Sequence, residues 1–229
     1  MKKIREIFKQ SPVTATLLMV TIVYFLVIQL LFWGRSTTAL AIFEAGGING
    51  HYLRFYTAEL WRLISPIFIH IGWEHLIMNA VSLYFVGTMA EQWWGSWRFL
   101  ILYLFSGVMG NVFVVFFTPD VVSAGASTSI FGLFTAISVI GYFGSNPYLK
   151  QVGQSYQLLL VMNLMFNLFM PSISLSGHLG GAIGGGLLAV VLLTRFDKSI
   201  FSKSQRFLAL LVYLALMVGL LGISFVRPL

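Results

Sequence analysis

Gly125-Ala126-Ser127-Thr128-Ser129-Ile130-Phe131-Gly132 opens an apolar run that continues to Gly144. A serine two residues after a glycine therefore stands where a membrane helix begins. Glycine lets another backbone come close, which an attacking hydroxyl needs and an ordinary packing serine does not. Clusters of small residues in membrane helices also serve as plain packing surfaces. The motif gains its meaning from the residues around it.

Of 229 residues, 58% are hydrophobic and 9% charged. A soluble domain is about 25% charged, so most of this chain belongs in lipid. The net charge of +7 does not make a nucleic-acid surface, because the basic residues fall in short breaks between apolar runs. Membrane topology accounts for that placement. There is no cysteine, which removes disulfides and a thiol nucleophile. The first apolar run, Val13 to Trp33, is long enough to span and ends without a small-x-small cleavage pattern, unlike a secretory signal.

Seven apolar segments approach the length of a spanning helix, at about 13–33, 73–94, 97–117, 127–144, 155–171, 177–194 and 206–226. Asn146-Pro147 is a turn signal after the fourth, and Pro171 closes the fifth. With the N-terminus in the cytoplasm, ten Lys and Arg residues fall inside (Lys2, Lys3, Arg5, Lys9, Arg98, Lys150, Arg195, Lys198, Lys203, Arg206) and four outside (Arg35, Arg54, Arg62, Arg227). The starts of spans two, four and six are then the outer ends. Those starts carry His75, Ser127 and His178. The expected class is an all-α polytopic membrane protein forming one domain over residues 1–229.

Residues 34–72 make the longest connection. It is too apolar for a solvated linker, and loops of this length usually carry structure or function. Short helices in the outer interface are expected, with Tyr56 and Trp61 as headgroup-level anchors.

Polar groups inside spans ask for a partner or a role. On span two, His75 and Asn79 lie four residues apart and share a helical face; they either glue two helices together or serve chemistry. On span six, His178, Gly181 and Gly185 put an imidazole above a glycine stripe, so a neighbouring helix can come close. If span four is that neighbour, His178 reaches Ser127. The four histidines lack a tight metal-ligand spacing and HExxH is missing, so metal binding is the less favoured reading. The set suits acyl transfer: Ser127 as nucleophile, and His178 as the base that later protonates the leaving amine. His75, Asn79 and the Ser127 backbone N–H are the oxyanion donors. No acid is placed to orient His178, so a Ser–His dyad is expected. Phe131, one turn below Ser127, could stack on the imidazole.

These residues resemble the rhomboid family of intramembrane serine proteases. The resemblance rests on Trp61-Arg62, His75-x-x-x-Asn79, Gly125-x-Ser127, Phe131-Gly132 and His178-x-x-Gly181-x-x-x-Gly185, over roughly residues 59–194. It implies a six-helix core, with the span at 206–226 as an addition at the C-terminal end. It further implies hydrolysis of peptide bonds in or beside transmembrane segments of other membrane proteins. Ser127 and His178 would be catalytic, His75 and Asn79 would complete the oxyanion hole, and Gly125, Phe131, Gly181 and Gly185 would support the site. Rhomboids usually have glycine where this chain has Thr128; a β-branched residue there would narrow the cleft or stiffen the turn.

The sequence also predicts a polar cavity at the three span starts, a preference for substrates with helix-weakening residues near the bond, and a movable span five carrying Asn163, Asn167 and Pro171. The partners expected are transmembrane substrates and the lipid bilayer, without nucleic acid. The location expected is a bacterial inner membrane with the site near its outer face. A rhomboid-like protein that binds without cutting, or a small proton-coupled transporter using the histidines as a relay, are the competing readings.

Overall fold

The computed structural model describes residues 9–170, 173–196 and 199–226. Pro171, and the sequence-assigned charges Lys2, Lys3, Arg5, Lys198 and Arg227, lie outside them. The fold is all-α and polytopic. The first spanning helix, α1 (Pro12–Leu31), is followed by two short helices, α2 (Ala39–Glu44) and α3 (Gly50–Phe55), and two 3₁₀ turns. Then come α4 (Gly72–Ser82), α5 (Thr88–Trp94), α6 (Ser96–Phe117), α7 (Ser127–Phe143), α8 (Pro147–Leu168), α9 (Leu175–Val191) and α10 (Lys203–Val226).

The helices of 20, 22 and 24 residues, α1, α6 and α10, are each long and apolar enough to cross a bilayer. Their burial separates their roles: 72% of the apolar window of α6 is inside the protein, against 17% for α10. The centre is thus α6, with α9 packed chiefly on α6 and α7. Glycines make this possible. A Cβ at Gly110 of α6 would lie 2.6 Å from Thr128 Cβ, and one at Gly184 of α9 would lie 2.7 Å from Met109 Cβ. A Cβ on Gly181 or Gly185 would drive into the backbone carbonyls of Thr128 and Gly132. With lipid as apolar as leucine, such close backbone contact is the main force joining spanning helices. Helix α10 docks more lightly on α6 and α9, where buried Tyr213 donates its hydroxyl hydrogen to the Phe105 carbonyl at 2.8 Å.

Two of the expected spans differ from the helices found. Span two is interrupted between α4 and α5 by a π-helical segment, Leu83–Gly87, packed on α1 at Thr14. The fifth span begins at Pro147 and not near 155, because Pro147 occupies the first helical turn and the Asn146 side chain accepts from the Tyr148 N–H at 2.9 Å. The polar residues Lys150, Gln151 and Gln154 hide that start from a hydropathy reading, yet they lie on a helix.

Buried Glu91 ties the start of α1 to α5 and α6. Its carboxylate accepts from Val13 N (3.0 Å), Thr14 N (2.8 Å), Thr14 Oγ1 (2.8 Å) and Ser96 Oγ (2.6 Å), capping the otherwise uncapped N-terminus of α1. An acid at this pole also complements the helix dipole. Glu91→Ala leaves these donors buried without an acceptor and is expected to cost about 3 kcal/mol of unfolding free energy. Glu91→Gln should cost less, and denaturant unfolding in detergent compares the two.

The long connection between α1 and α4 folds around Arg62. This buried cation donates to Glu59 Oε2 (2.8 Å) and to the carbonyls of Phe43 (2.6 Å) and Gly47 (3.0 Å). It also lies 4.3 Å from the Phe43 ring centre and 4.6 Å from that of Trp61. The short helices α2 and α3 are capped by Thr38 and Asn49. Tyr56 and Trp61 are about half exposed. The connection is pinned to α1 by the Tyr24 hydroxyl on the Ala45 carbonyl (2.6 Å) and to α6 by the Asn111 amide on the Leu63 carbonyl (2.9 Å).

Candidate active site

The segment entering α7 is held by the connection between α1 and α4. Ser123 and Ile48 exchange two backbone hydrogen bonds (2.9 and 3.0 Å), the Gly125 N–H donates to the Pro66 carbonyl at 2.8 Å, and the Ala126 N–H donates to Nε2 of buried His70 at 3.4 Å. Gly125 takes φ 140°, in the left-handed region. A Cβ there would lie 2.7 Å from His75 Cε1, 2.9 Å from His75 Nε2 and 3.4 Å from Ser127 Oγ. Glycine is therefore required twice, for its backbone angle and for the space it leaves between the two side chains. Gly125→Ala is expected to cost about 2 kcal/mol and to push His75 away, both measurable by thermal unfolding and a structure of the variant.

Ser127 is the first residue of α7, whose N-terminus has no side-chain cap, so its first N–H groups remain free. Its hydroxyl is partly accessible and lies 2.8 Å from His178 Nε2. His178 stands in the first turn of α9, where Ser174 caps the helix by accepting from the Gly177 N–H at 3.2 Å, and where Ser176 Oγ lies 2.8 Å from Thr118 Oγ1 at the end of α6. The imidazole stacks on Phe131 with ring centres 4.0 Å apart and planes 12° apart.

His75 is fixed by its own helix, since Nδ1 accepts the Ile71 N–H at 3.2 Å. The neutral ring then carries its hydrogen on Nε2, the side facing Gly125. Asn79 is buried and donates to the His75 carbonyl at 2.8 Å, which leaves one amide hydrogen uncommitted. Thr128 does not face the site at all. Its side chain is buried against Gly110 of α6 and Gly177 of α9. Neither the narrowing of the cleft nor the stiffened turn is needed to seat it; the two glycines take up its bulk. Asn163 bonds the Leu159 carbonyl within α8 (2.7 Å), whereas the amide of buried Asn167 meets His178 Nδ1. His178 thus has an uncharged partner at Nδ1 besides Ser127 and, among the described residues, no acid.

Residues 57–195 match the family model of the rhomboid domain, more than half of the chain. The chain belongs to the rhomboid family. It is 33% identical over 215 residues to the rhomboid protease GluP of Bacillus subtilis, covering 94% of this chain and 41% of that protein. It is 32% identical over 156 residues to YdcA of the same bacterium, a candidate rhomboid protease, covering 66% of this chain and 76% of that one. It is also 31% identical over 126 residues to the inactive RHOMBOID-like protein 8 of Arabidopsis thaliana, covering 55% of this chain and 36% of that one. The chain thus spans about two fifths of the GluP length, and rhomboid membership includes proteins without activity.

Proposed function

We propose that this chain is an intramembrane serine protease that cuts transmembrane proteins in or beside their spans. The observation that carries the reading is the 2.8 Å approach of Ser127 Oγ to His178 Nε2 at the uncapped start of α7. His178 takes the hydroxyl proton as the oxygen attacks the scissile carbonyl, then returns it to the leaving amine. The oxyanion forms beside three donors: the Ser127 N–H, the His75 Nε2–H and the free amide hydrogen of Asn79. Water then hydrolyses the acyl-enzyme by the same base, so neither metal nor cofactor is required.

The stacked Phe131 holds the imidazole plane, Gly125 makes room beside the hydroxyl, and Gly181 with Gly185 lets α9 approach α7 closely enough for the pair to meet. Residues 59–194 are the catalytic unit of one membrane domain, and α10 is an addition to it. The Lys and Arg tally supports a cytoplasmic N-terminus with the site near the opposite face, and the location proposed is a bacterial inner membrane. Because a helix hides its own carbonyls, substrates with helix-weakening residues at the site are cut best.

The test is labelling of purified protein with a serine-reactive fluorophosphonate. Labelling of the folded wild type that disappears in Ser127→Ala supports an activated serine. Equal labelling in both, or none in the wild type alongside no cleavage, would leave a binding protein in its place.

A further inference from the structure

We infer that Asn167 of α8 is a positioning residue that selects the tautomer of His178, an inference that rests on the serine-protease reading. For His178 Nε2 to remove the Ser127 proton it needs a lone pair, so the neutral ring must carry its hydrogen on Nδ1. His178 is 5% exposed, and a buried N–H without an acceptor is costly. The group that meets Nδ1 is the side-chain amide of Asn167, itself buried and placed with its Nδ2 towards the ring. Among the described residues the carboxylates are used or placed elsewhere: Glu91 on α1, Glu59 on Arg62, Asp120 on His51, Glu44 near Arg35, and Glu74 on the exposed side of α4.

The two ends of a carboxamide have the same shape, so the hydrogen-bond network decides which faces the ring. With the NH₂ group towards Nδ1, that nitrogen must accept, and the hydrogen moves to Nε2. His178 would then donate to Ser127 and could not act as its base. With Oδ1 towards Nδ1, the ring donates to Asn167 and Nε2 is free to accept from Ser127 Oγ. Only the second arrangement lets the 2.8 Å contact perform the reaction. Asn167 thus does the orienting half of what a triad carboxylate does and, being uncharged, omits most of its stabilisation of the imidazolium. It also joins α8 to α9, two helices that otherwise touch sparingly.

The test is ¹⁵N NMR of histidine-labelled protein in bilayers, which distinguishes the two neutral tautomers, with His178 assigned by its loss in His178→Gln. Alongside it, kcat and KM are measured on a reporter transmembrane substrate. The wild type is expected to hold His178 as the Nδ1–H tautomer. Asn167→Leu should mix the tautomers and lower kcat about 10- to 100-fold with KM within about twofold. Asn167→Asp, which keeps an oxygen acceptor, should restore the tautomer and most of kcat. A wild-type Nε2–H tautomer overturns the inference without any variant having to fold. So does Asn167→Leu with tautomer and kcat unchanged. An Asn167-dependent Nδ1–H tautomer in a protein that cleaves nothing would instead sink the protease reading and leave the positioning role standing.

Discussion

His178→Ala is expected to lower kcat on a transmembrane substrate by about four orders of magnitude or more. The hydroxyl of Ser127 has its ordinary, very weak acidity once Nε2 is removed from 2.8 Å, and no other described base is hydrogen-bonded to it. The fold should survive the change. The imidazole fills a face of α9 next to Phe131, and its loss removes that ring contact and the contacts with Asn167 and Ser127 while leaving the glycine crossing intact. Circular dichroism and thermal unfolding in detergent separate loss of chemistry from loss of structure. A variant that unfolds with near-normal cooperativity and cleaves nothing is the expected result. Residual cleavage within tenfold of wild type would remove His178 from the mechanism.

The second large effect is structural. Gly181→Val should prevent α9 from seating on α7, because even a Cβ at that position collides with the Thr128 carbonyl, a backbone atom that cannot rotate away. Overpacking with a single methyl commonly costs about 1–3 kcal/mol, and a branched side chain against backbone costs more. Gly185, whose Cβ would strike Gly132, is equally intolerant. Gly219 and Gly222 of α10 are the internal controls, since nothing lies within 4 Å of a Cβ at either. Alanine there should be neutral or slightly stabilising, as helix propensity favours it over glycine by up to about 1 kcal/mol. Comparison of these variants by unfolding in detergent shows whether glycine matters by position or by number.

Much of this arrangement is legible from residue spacing. The imidazole and the glycines of α9 fall on one face by helical periodicity alone, and that face meets α7. The short helices of the connection at 34–72 are legible from its apolar content, while the caps that start them, Thr38 and Asn49, show only in the structure. What the sequence conceals depends on pairs of residues far apart in the chain. The acceptance by Glu91 of hydrogen bonds from Val13 and Thr14, 78 and 77 positions away, has no local signature. The π-helical segment at Leu83–Gly87 packs against α1 at Thr14 and has no sequence motif to mark it. Thr128 looked like a residue of the cleft because it follows Ser127, yet adjacent residues on a helix point about 100° apart, and it faces α6 and α9. The contact of Asn167 with His178 has no sequence signature, because an uncharged amide on α8 is ordinary helix polarity until the fold sets it against the imidazole. The early start of α8 is encoded in Asn146-Pro147, a cap and a first-turn proline, although hydropathy begins only later.

The central claim is that Ser127 is a nucleophile in a membrane. It is tested most directly by incubating the purified protein with a reporter transmembrane substrate in bilayers and mapping the products by mass spectrometry, for the wild type and for Ser127→Ala. A single main cut in or beside the substrate's span, made by the wild type and absent in Ser127→Ala of equal thermal stability, is expected. The same cut made at comparable rate by Ser127→Ala would contradict the claim outright.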